Sequence, residues 1–168
     1  MIHQLPAVDE TIEKMIEQLR PILPEDPLLV GIHSGGVWIA ERLHELLKIS
    51  SDLGTIDITF YRDDFSTIGL HPQVNTSFLP EDIEGRNILL VDDVLQTGRT
   101  IRAALNEIFS YGRPATVLLA VLVDRGQREL PIQADICGLN LQLDEHQQIK
   151  LNGPECLELR IMKRENTG

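Results

Sequence analysis

The chain is short of cysteine, of basic charge and of long apolar runs. Cysteine occurs only at Cys137 and Cys156, 19 positions apart. That spacing is neither a disulfide framework nor a metal-ligand pattern, and both thiols are expected to be reduced, as in the cytosol. The longest apolar run, Val117 to Val123, holds 7 residues, against the roughly 20 that a membrane-spanning helix needs. Residues 1–10 place no basic region ahead of an apolar stretch, so no secretory leader is expected and the chain reads as cytoplasmic. Lys and Arg number 15 against 26 Asp and Glu, a formal charge of −11, which argues against the basic stripe of a nucleic-acid binder. The deficit is uneven. Residues 1–91 carry 6 basic and 15 acidic side chains, whereas residues 92–130 carry 5 of each, so a local basic patch around residues 99–128 stays open. No Gly-Lys-Ser/Thr and no G-x-G-x-x-G occurs, which removes the P-loop and dinucleotide fingerprints. His33 and Ser34 are adjacent but lack a G-x-S-x-G elbow, and His3, His44, His71 and His146 form no cluster of the kind a metal site needs.

What is there is ordinary for a globular chain. The 168 residues are 42% hydrophobic and 24% charged, enough for one domain over residues 1–168 with a core that needs no staple. Residues 9–20 have the period of an amphipathic helix, with Asp9 as N-cap and Ile12, Met15, Ile16 and Leu19 on one face. Leu28 to Ile32 reads as a buried strand. Gly35-Gly36 breaks it, and helical spacing resumes from Val37 to Lys48, with Trp38 on an apolar face as core or subunit interface. Thr55 to Tyr61 alternates as a half-buried strand. Residues 65–81 lose periodicity and are long for a compact connection, as functional lids are. Ile88 to Val91 is a strand, Arg99 to Tyr111 a helix ended by Gly112, and Thr116 to Val123 a strand covered on both faces. The tail alternates at Leu139, Leu141 and Leu143 and again at Leu157, Leu159 and Ile161. Two short strands within about 139–162 are expected there, joined through residues 144–148 and Gly153-Pro154. Strands alternating with helices predict an α/β fold: an open, mainly parallel twisted sheet with helices on both faces.

The chemistry concentrates in residues 91–100, Val-Asp-Asp-Val-Leu-Gln-Thr-Gly-Arg-Thr. Asp92 and Asp93 stand at the carboxyl end of a buried strand, the edge of an open α/β sheet where ligands bind. Thr97, Gly98 and Thr100 open the next helix, whose N–H groups and dipole attract an anion. Gly98 allows a close approach and the threonines add hydroxyl donors. Carboxylates that accept from neighbouring hydroxyls, followed by an anion cradle, suit a sugar phosphate. A receiver-domain acid pair would stand near the N-terminus, and here 91 residues precede it. A simple acidic turn capping a helix is the other plain alternative.

Residues 92–100 resemble the phosphoribosyl-diphosphate (PRPP) signature of type I phosphoribosyltransferases. Ile56 to Asp64 and Leu122 to Ile132, in the same order along the chain, are similar to the bifunctional pyrimidine-operon regulators with uracil phosphoribosyltransferase activity. The resemblance covers roughly residues 28–138. It implies a type I fold with a small hood formed by the terminal segments and a flexible lid. It also implies residue roles. Asp92 and Asp93 would bind the ribose hydroxyls, while Val94, Leu95, Gln96, Thr97, Gly98, Arg99 and Thr100 would cradle the 5-phosphate. Ser34, Gly35 and Gly36 would face the diphosphate. Arg62 and Asp63 would begin the lid and, with Asp92 and Asp93, form the catalytic set. Val123, Asp124, Arg125 and Arg128 would lie at the base. Mg²⁺ would be bound mainly through PRPP, with no direct side-chain ligand.

The implied activity is uracil plus PRPP giving UMP plus diphosphate, in a homodimer or larger homo-oligomer. Two departures stand out. Ser34-Gly35-Gly36 replaces the family's Thr-Arg-Gly, and Gln127 replaces a His of the regulators. An RNA-binding attenuator sensing UMP or UTP and a purine phosphoribosyltransferase are the alternatives. Residues 1–61 hold only Lys14, Arg20, Arg42 and Lys48 against 10 acids. RNA affinity rests on Lys and Arg neutralising phosphates, so this balance favours the enzyme.

Overall fold

The computed structural model describes residues 4–58, 77–80 and 82–165. In chain order they form α1 (Val8–Leu19), β1 (Leu28–Ile32), α2 (Gly35–Leu46), β2 (Gly54–Ile56), β3 (Asn87–Leu95), α3 (Arg99–Tyr111), β4 (Thr116–Asp124), β5 (Ile136–Asn140), β6 (Gln147–Asn152) and β7 (Glu158–Lys163). Strands β1 to β5 make one sheet in the order β2-β1-β3-β4-β5, every neighbouring pair parallel. Strands β6 and β7 form a separate antiparallel hairpin.

Alternation along the strands sends side chains to opposite faces of the sheet. Leu29, Leu89, Val91, Ala120 and Leu122 pack under α1 and α2, against Ile12, Met15, Leu19, Ile39 and Leu43. Their neighbours Leu28, Val30, Ile88, Leu90 and Val121 pack under α3, against Ile101, Ala104 and Ile108. The expected helices on both faces are therefore present, and each fully buried large side chain contributes about 1.5–3 kcal/mol. The acids of α1 lie on its outer face. Because α2 leaves β1 on one face and α3 leaves β3 on the other, a crevice opens at the carboxyl ends of these two strands, the switch point where open α/β sheets bind ligands.

Several boundaries differ from expectation for local reasons. Ala7, not Asp9, is the N-cap of α1 and gives no side-chain cap, while Asp9 and Glu10 sit in the first turn, where carboxylates favour the helix dipole. Gly35 and Gly36, expected as a break between β1 and a helix from Val37, are the first residues of α2. At Gly36 an added Cβ would lie 2.7 Å from the Val91 carbonyl oxygen, so only glycine lets the start of α2 rest on the β3 backbone. Strand β3 continues to Leu95, past its last pairing with β1 at Val91, because β4 still partners Asp92, Val94 and Leu95. Asp92 and Asp93 therefore lie within the strand, which runs four residues past the expected end at Val91.

In the tail, β5 begins at Ile136 and joins the sheet beside β4, earlier than the leucine alternation suggested. Gln147 and Gln148, expected in a polar link, belong to β6. Thr55 and Phe78 form an antiparallel bridge, so residues 77–80 of the segment expected as lid run beside β2. The rest of that segment to residue 76, with residue 81, lies outside the described residues, as do Phe60, Tyr61, Arg62 and Asp63. No described helix is long and apolar enough to cross a membrane.

Candidate active site

Over the switch point lies a cavity of about 280 Å³. Its floor comes from the ends of β1 and β3: Ser34 and Gly35 on one side, Asp93 and Val94 on the other. One wall is the turn from β3 into α3, including Thr97, Gly98 and Thr100. The opposite wall is the β6–β7 hairpin, which contributes Gln148, Lys150 and, just past β7, Arg164. The hood thus comes from the C-terminal hairpin. Residues Gln4 to Glu10 meet its outer side at Cys156 to Leu159, which brings both terminal segments together.

Gly98 has φ 92° and serves as N-cap of α3, a conformation that a side chain disfavours. It turns the chain so that the first-turn N–H groups, which have no carbonyl four residues back, open the helix toward the cavity. The Arg99 N–H donates to Thr97 Oγ1 at 3.1 Å, which closes the turn. Such a helix start is an anion site on its own terms.

The two acids are not equivalent. Asp92 is 2% exposed, does not line the cavity, and accepts the Asp93 N–H at Oδ1, 2.9 Å away. Asp93 lines the cavity, and its Oδ1 accepts the Val94 N–H at 2.8 Å. A Cβ on Gly35 would fall on the Asp93 carboxylate, 2.8 Å from its Cγ. The glycine at position 35 is thus what lets the carboxylate of Asp93 sit against the 34–36 loop.

Of the residues expected at the base, Arg125 alone lines the cavity. Val123 is buried in the core. Asp124 and Arg128 face each other in a two-pronged pair, at 2.9 and 2.6 Å. The hydrogen bond from Arg128 holds the Asp124 carboxyl below its ordinary pKa, against the opposing effect of burial. Arg128 also donates to the carbonyls of Gln96 and Ile132, and Thr97 O accepts N–H groups from Glu129 and Leu130. Residues 124–132 therefore brace the anion turn from behind. Arg99 points outward and pairs with Glu129 at 2.7 Å, each about half exposed. Gly36 lies beneath the cavity floor, packed on β3.

The structure adds residues that the sequence pattern did not indicate. Trp38, half-buried against the α1/α2 core, lines the cavity and supports the hairpin turn: a Cβ on Gly153 would lie 2.8 Å from Trp38 Cε3. Lys150 and Arg164 come from a hairpin that local spacing could not place over the sheet. Arg125 is 5% exposed. It donates to the carbonyl of Gln147 at 3.1 Å and to Gln127 Oε1 at 3.2 Å, while its Nε is buried without a partner. Burial and the neighbouring Arg164 cation push its pKa below the ordinary arginine value. Among the described residues no three His, Cys, Asp or Glu side chains converge as a metal cage. The oxygen donors at hand, Asp93 and the threonine hydroxyls, fit a magnesium ion that arrives on a phosphorylated ligand and keeps its own waters.

Comparison with known proteins agrees with this geometry. The family model "Phosphoribosyl transferase domain" matches residues 1–157. A relative from Nitrosococcus oceani, named bifunctional protein PyrR, is 56% identical over 151 residues, spanning 89% of this chain and 83% of its own length. A protein of the same name from Pseudomonas fluorescens is 50% identical over 161 residues, spanning 94% and 96%. A solved hypoxanthine phosphoribosyltransferase from Staphylococcus aureus superposes with a TM-score of 0.66 at 20% identity, covering 88% of this chain and 80% of that one, a likeness of fold.

Proposed function

This chain belongs to the phosphoribosyl transferase family, and we propose that it transfers the phosphoribosyl group of PRPP to uracil, giving UMP and diphosphate. The observation that carries the reading is one cavity at the switch point in which Asp93 stands between the Ser34–Gly35 loop and the anion turn of α3. Relatives named bifunctional protein PyrR, at 50–56% identity over most of the chain, support the pyrimidine assignment, as do the segments at residues 56–64 and 122–132.

In the reaction the bond from C1 of the ribose to the diphosphate breaks and a bond from C1 to uracil N1 forms. The nitrogen's proton leaves to solvent. Positive charge grows on the ribose ring and negative charge on the leaving group. Asp93 accepts from the ribose hydroxyls and places a carboxylate beside the cationic ring. Asp92, underneath, fixes the Asp93 backbone through the N–H bond to its Oδ1. Thr97, Gly98 and Thr100 hold the 5-phosphate at the start of α3, and the N–H side of the 34–36 loop faces the diphosphate. Positioning and preorganised charge do this work, and no covalent nucleophile is needed. Mg²⁺ carried by PRPP, with Asp93 as the nearest carboxylate of the cavity, would offset the leaving group's charge.

The test is a base panel: uracil, hypoxanthine, guanine, adenine and orotate, each with PRPP and Mg²⁺, read as diphosphate release. Release with uracil alone is expected. Turnover with a purine instead would move the assignment to the purine enzymes, and none with any base would remove the catalytic reading.

The relatives' name, bifunctional, supports a second role in pyrimidine-operon regulation. Arg99, Arg128 and Arg160 are paired with Glu129, Asp124 and Glu158, and acids outnumber bases 26 to 15 along the chain, which opposes the approach of RNA phosphates. Weak binding of pyrimidine leader RNA in a filter assay is the expected result. Tight binding that falls steeply across a salt series would place RNA regulation first.

A further inference from the structure

We infer that Gln127 is a positioning residue: its amide oxygen holds the Arg125 guanidinium and the Gln96 side chain, and through Arg125 it sets how tightly the base is taken. This role rests on the function proposed above, and it falls to a residue that does not itself line the cavity.

An arginine side chain offers only donors, fixed in one plane, and no acceptor. Arg125 is 5% exposed. Its Nη1 donates to the Gln147 carbonyl at 3.1 Å and its Nη2 to Gln127 Oε1 at 3.2 Å, while Nε is buried without a partner. Acceptors on both terminal nitrogens fix the plane of the fork; one alone leaves it free to turn. Gln147 opens β6, so one acceptor belongs to the hood and the other to the loop after β4. Because the guanidinium can only donate, the Gln127 amide must turn its oxygen toward it. The same oxygen accepts from Gln96 Nε2 at 3.0 Å, and Gln96 lines the cavity from the turn between β3 and α3. One atom outside the cavity thus ties together two side chains that line it.

The backbone is shaped for this contact. Gly126 and Gln127 have φ of 72° and 64°. A residue with a side chain seldom takes that region, and does so where the surrounding structure holds it there. Here the left-handed pair folds the chain back so that the Gln127 amide meets Arg125, two residues earlier. The Gly126 N–H donates to Asp124 Oδ1 at 2.9 Å, and Arg128 joins Asp124 to the Gln96 carbonyl. Gln96 is therefore held by its backbone from Arg128 and by its side chain from Gln127.

With the 5-phosphate at the start of α3 and the diphosphate at the 34–36 loop, the part of the cavity beside the hairpin, to which Arg125 is bonded, remains for the base. Uracil presents carbonyl oxygens, and a guanidinium already held in one plane meets them without first losing rotational freedom. Without the Gln127 oxygen, a buried charged donor is left unsatisfied and the fork must reorganise before uracil binds.

Gln127 is exposed, and Gln127→Met keeps its length and unbranched shape while removing the amide oxygen. Steady-state kinetics of the full chain with uracil, PRPP and Mg²⁺ are the test, with a thermal melt for each variant. Gln127→Met is expected to raise KM for uracil about 10-fold, with kcat within about threefold and KM for PRPP within about twofold of the parent. Gln127→Glu, which keeps an acceptor oxygen, should return KM for uracil to within about threefold. Added to Arg125→Met, Gln127→Met should cost no more than about twofold further, because it acts through the arginine. An unchanged KM for uracil in Gln127→Met overturns the role, as does an equal rise in Gln127→Glu or a full further loss in the double variant. If Arg125→Met does not fold, the Met and Glu variants at position 127 decide between them. A parent chain that releases no diphosphate with uracil overturns the underlying function, and this role with it.

Discussion

The two walls of the cavity are built on different principles. The β3–α3 wall is contiguous: Asp93 through Ile101 arrive on one strand end, one turn and one helix start. Its attraction for an anion comes mostly from backbone N–H groups and the helix dipole. The hood wall is assembled from Arg125, from Lys150 on β6 and from Arg164 beyond β7. Its attraction comes from side-chain charge. The backbone wall is rigid, braced by Arg128 and Asp124. The hood wall can change its charge with one substitution and no cost to the sheet. Under the function proposed above, the backbone wall would hold the 5-phosphate of the ligand.

The sharpest way to break the comparison is Asp93→Asn, which keeps the Oδ1 that accepts the Val94 N–H and removes only charge. A fall in kcat/KM of about 10²–10³-fold with an unchanged melting temperature is expected. Turnover within threefold of the parent would mean that the floor acid has no part in the chemistry. Next is Gly35→Ala. The new Cβ would displace the Asp93 carboxylate, and about 10- to 100-fold in kcat/KM should be lost through misplacement. A crystal structure of the variant with Asp93 unmoved would refute that cause.

A third change addresses the bracing. Asp124→Asn should lower stability by about 1.5 kcal/mol, since a charge-assisted pair is lost, and chemical denaturation would read it. The sign with pH is definite. Asp124 has a depressed pKa in the folded chain, so its contribution is full above about pH 4 and disappears as pH falls toward the lowered value. The parent should therefore lose more stability than the variant on acidification below that pH; parallel curves would contradict the pair's role. The smallest effect is expected from Arg99→Ala. This guanidinium is half exposed and paired with Glu129 outside the cavity. Stability should move by under about 0.5 kcal/mol and PRPP affinity within about twofold; a larger loss of affinity would return Arg99 to the phosphate site.

Much of the strand–helix wall was legible before any fold was known. Helix α3 lies where the spacing of Ile101, Ala104 and Ile108 put it, and β1 spans Leu28–Ile32 as read. Both are local patterns, and short-range periodicity reports local structure well. The end of β3 was less legible. By sequence Asp92 and Asp93 stand at the end of a strand over Ile88–Val91, yet pairing with β4 carries the strand on to Leu95. By sequence Gly35-Gly36 reads as the break after the strand, with the helix starting at Val37, whereas the two glycines open α2 and its close approach to Val91 requires glycine at position 36. The base-side residues divided in the same way. Asp124 and Arg128 turned out to satisfy each other, and only Arg125 faces the cavity.

The amino-acid order alone determined the alternation of strands and helices, the acid pair at a strand end and the glycine-opened turn that follows. These depend on neighbours within a few positions, where backbone geometry and side-chain period act directly. Tertiary structure decided which of the two acids reaches the cavity, which arginines are neutralised and that a C-terminal hairpin roofs the site. Those outcomes depend on contacts between segments far apart in the chain, and burial and charge pairing at such contacts are properties of the packed molecule.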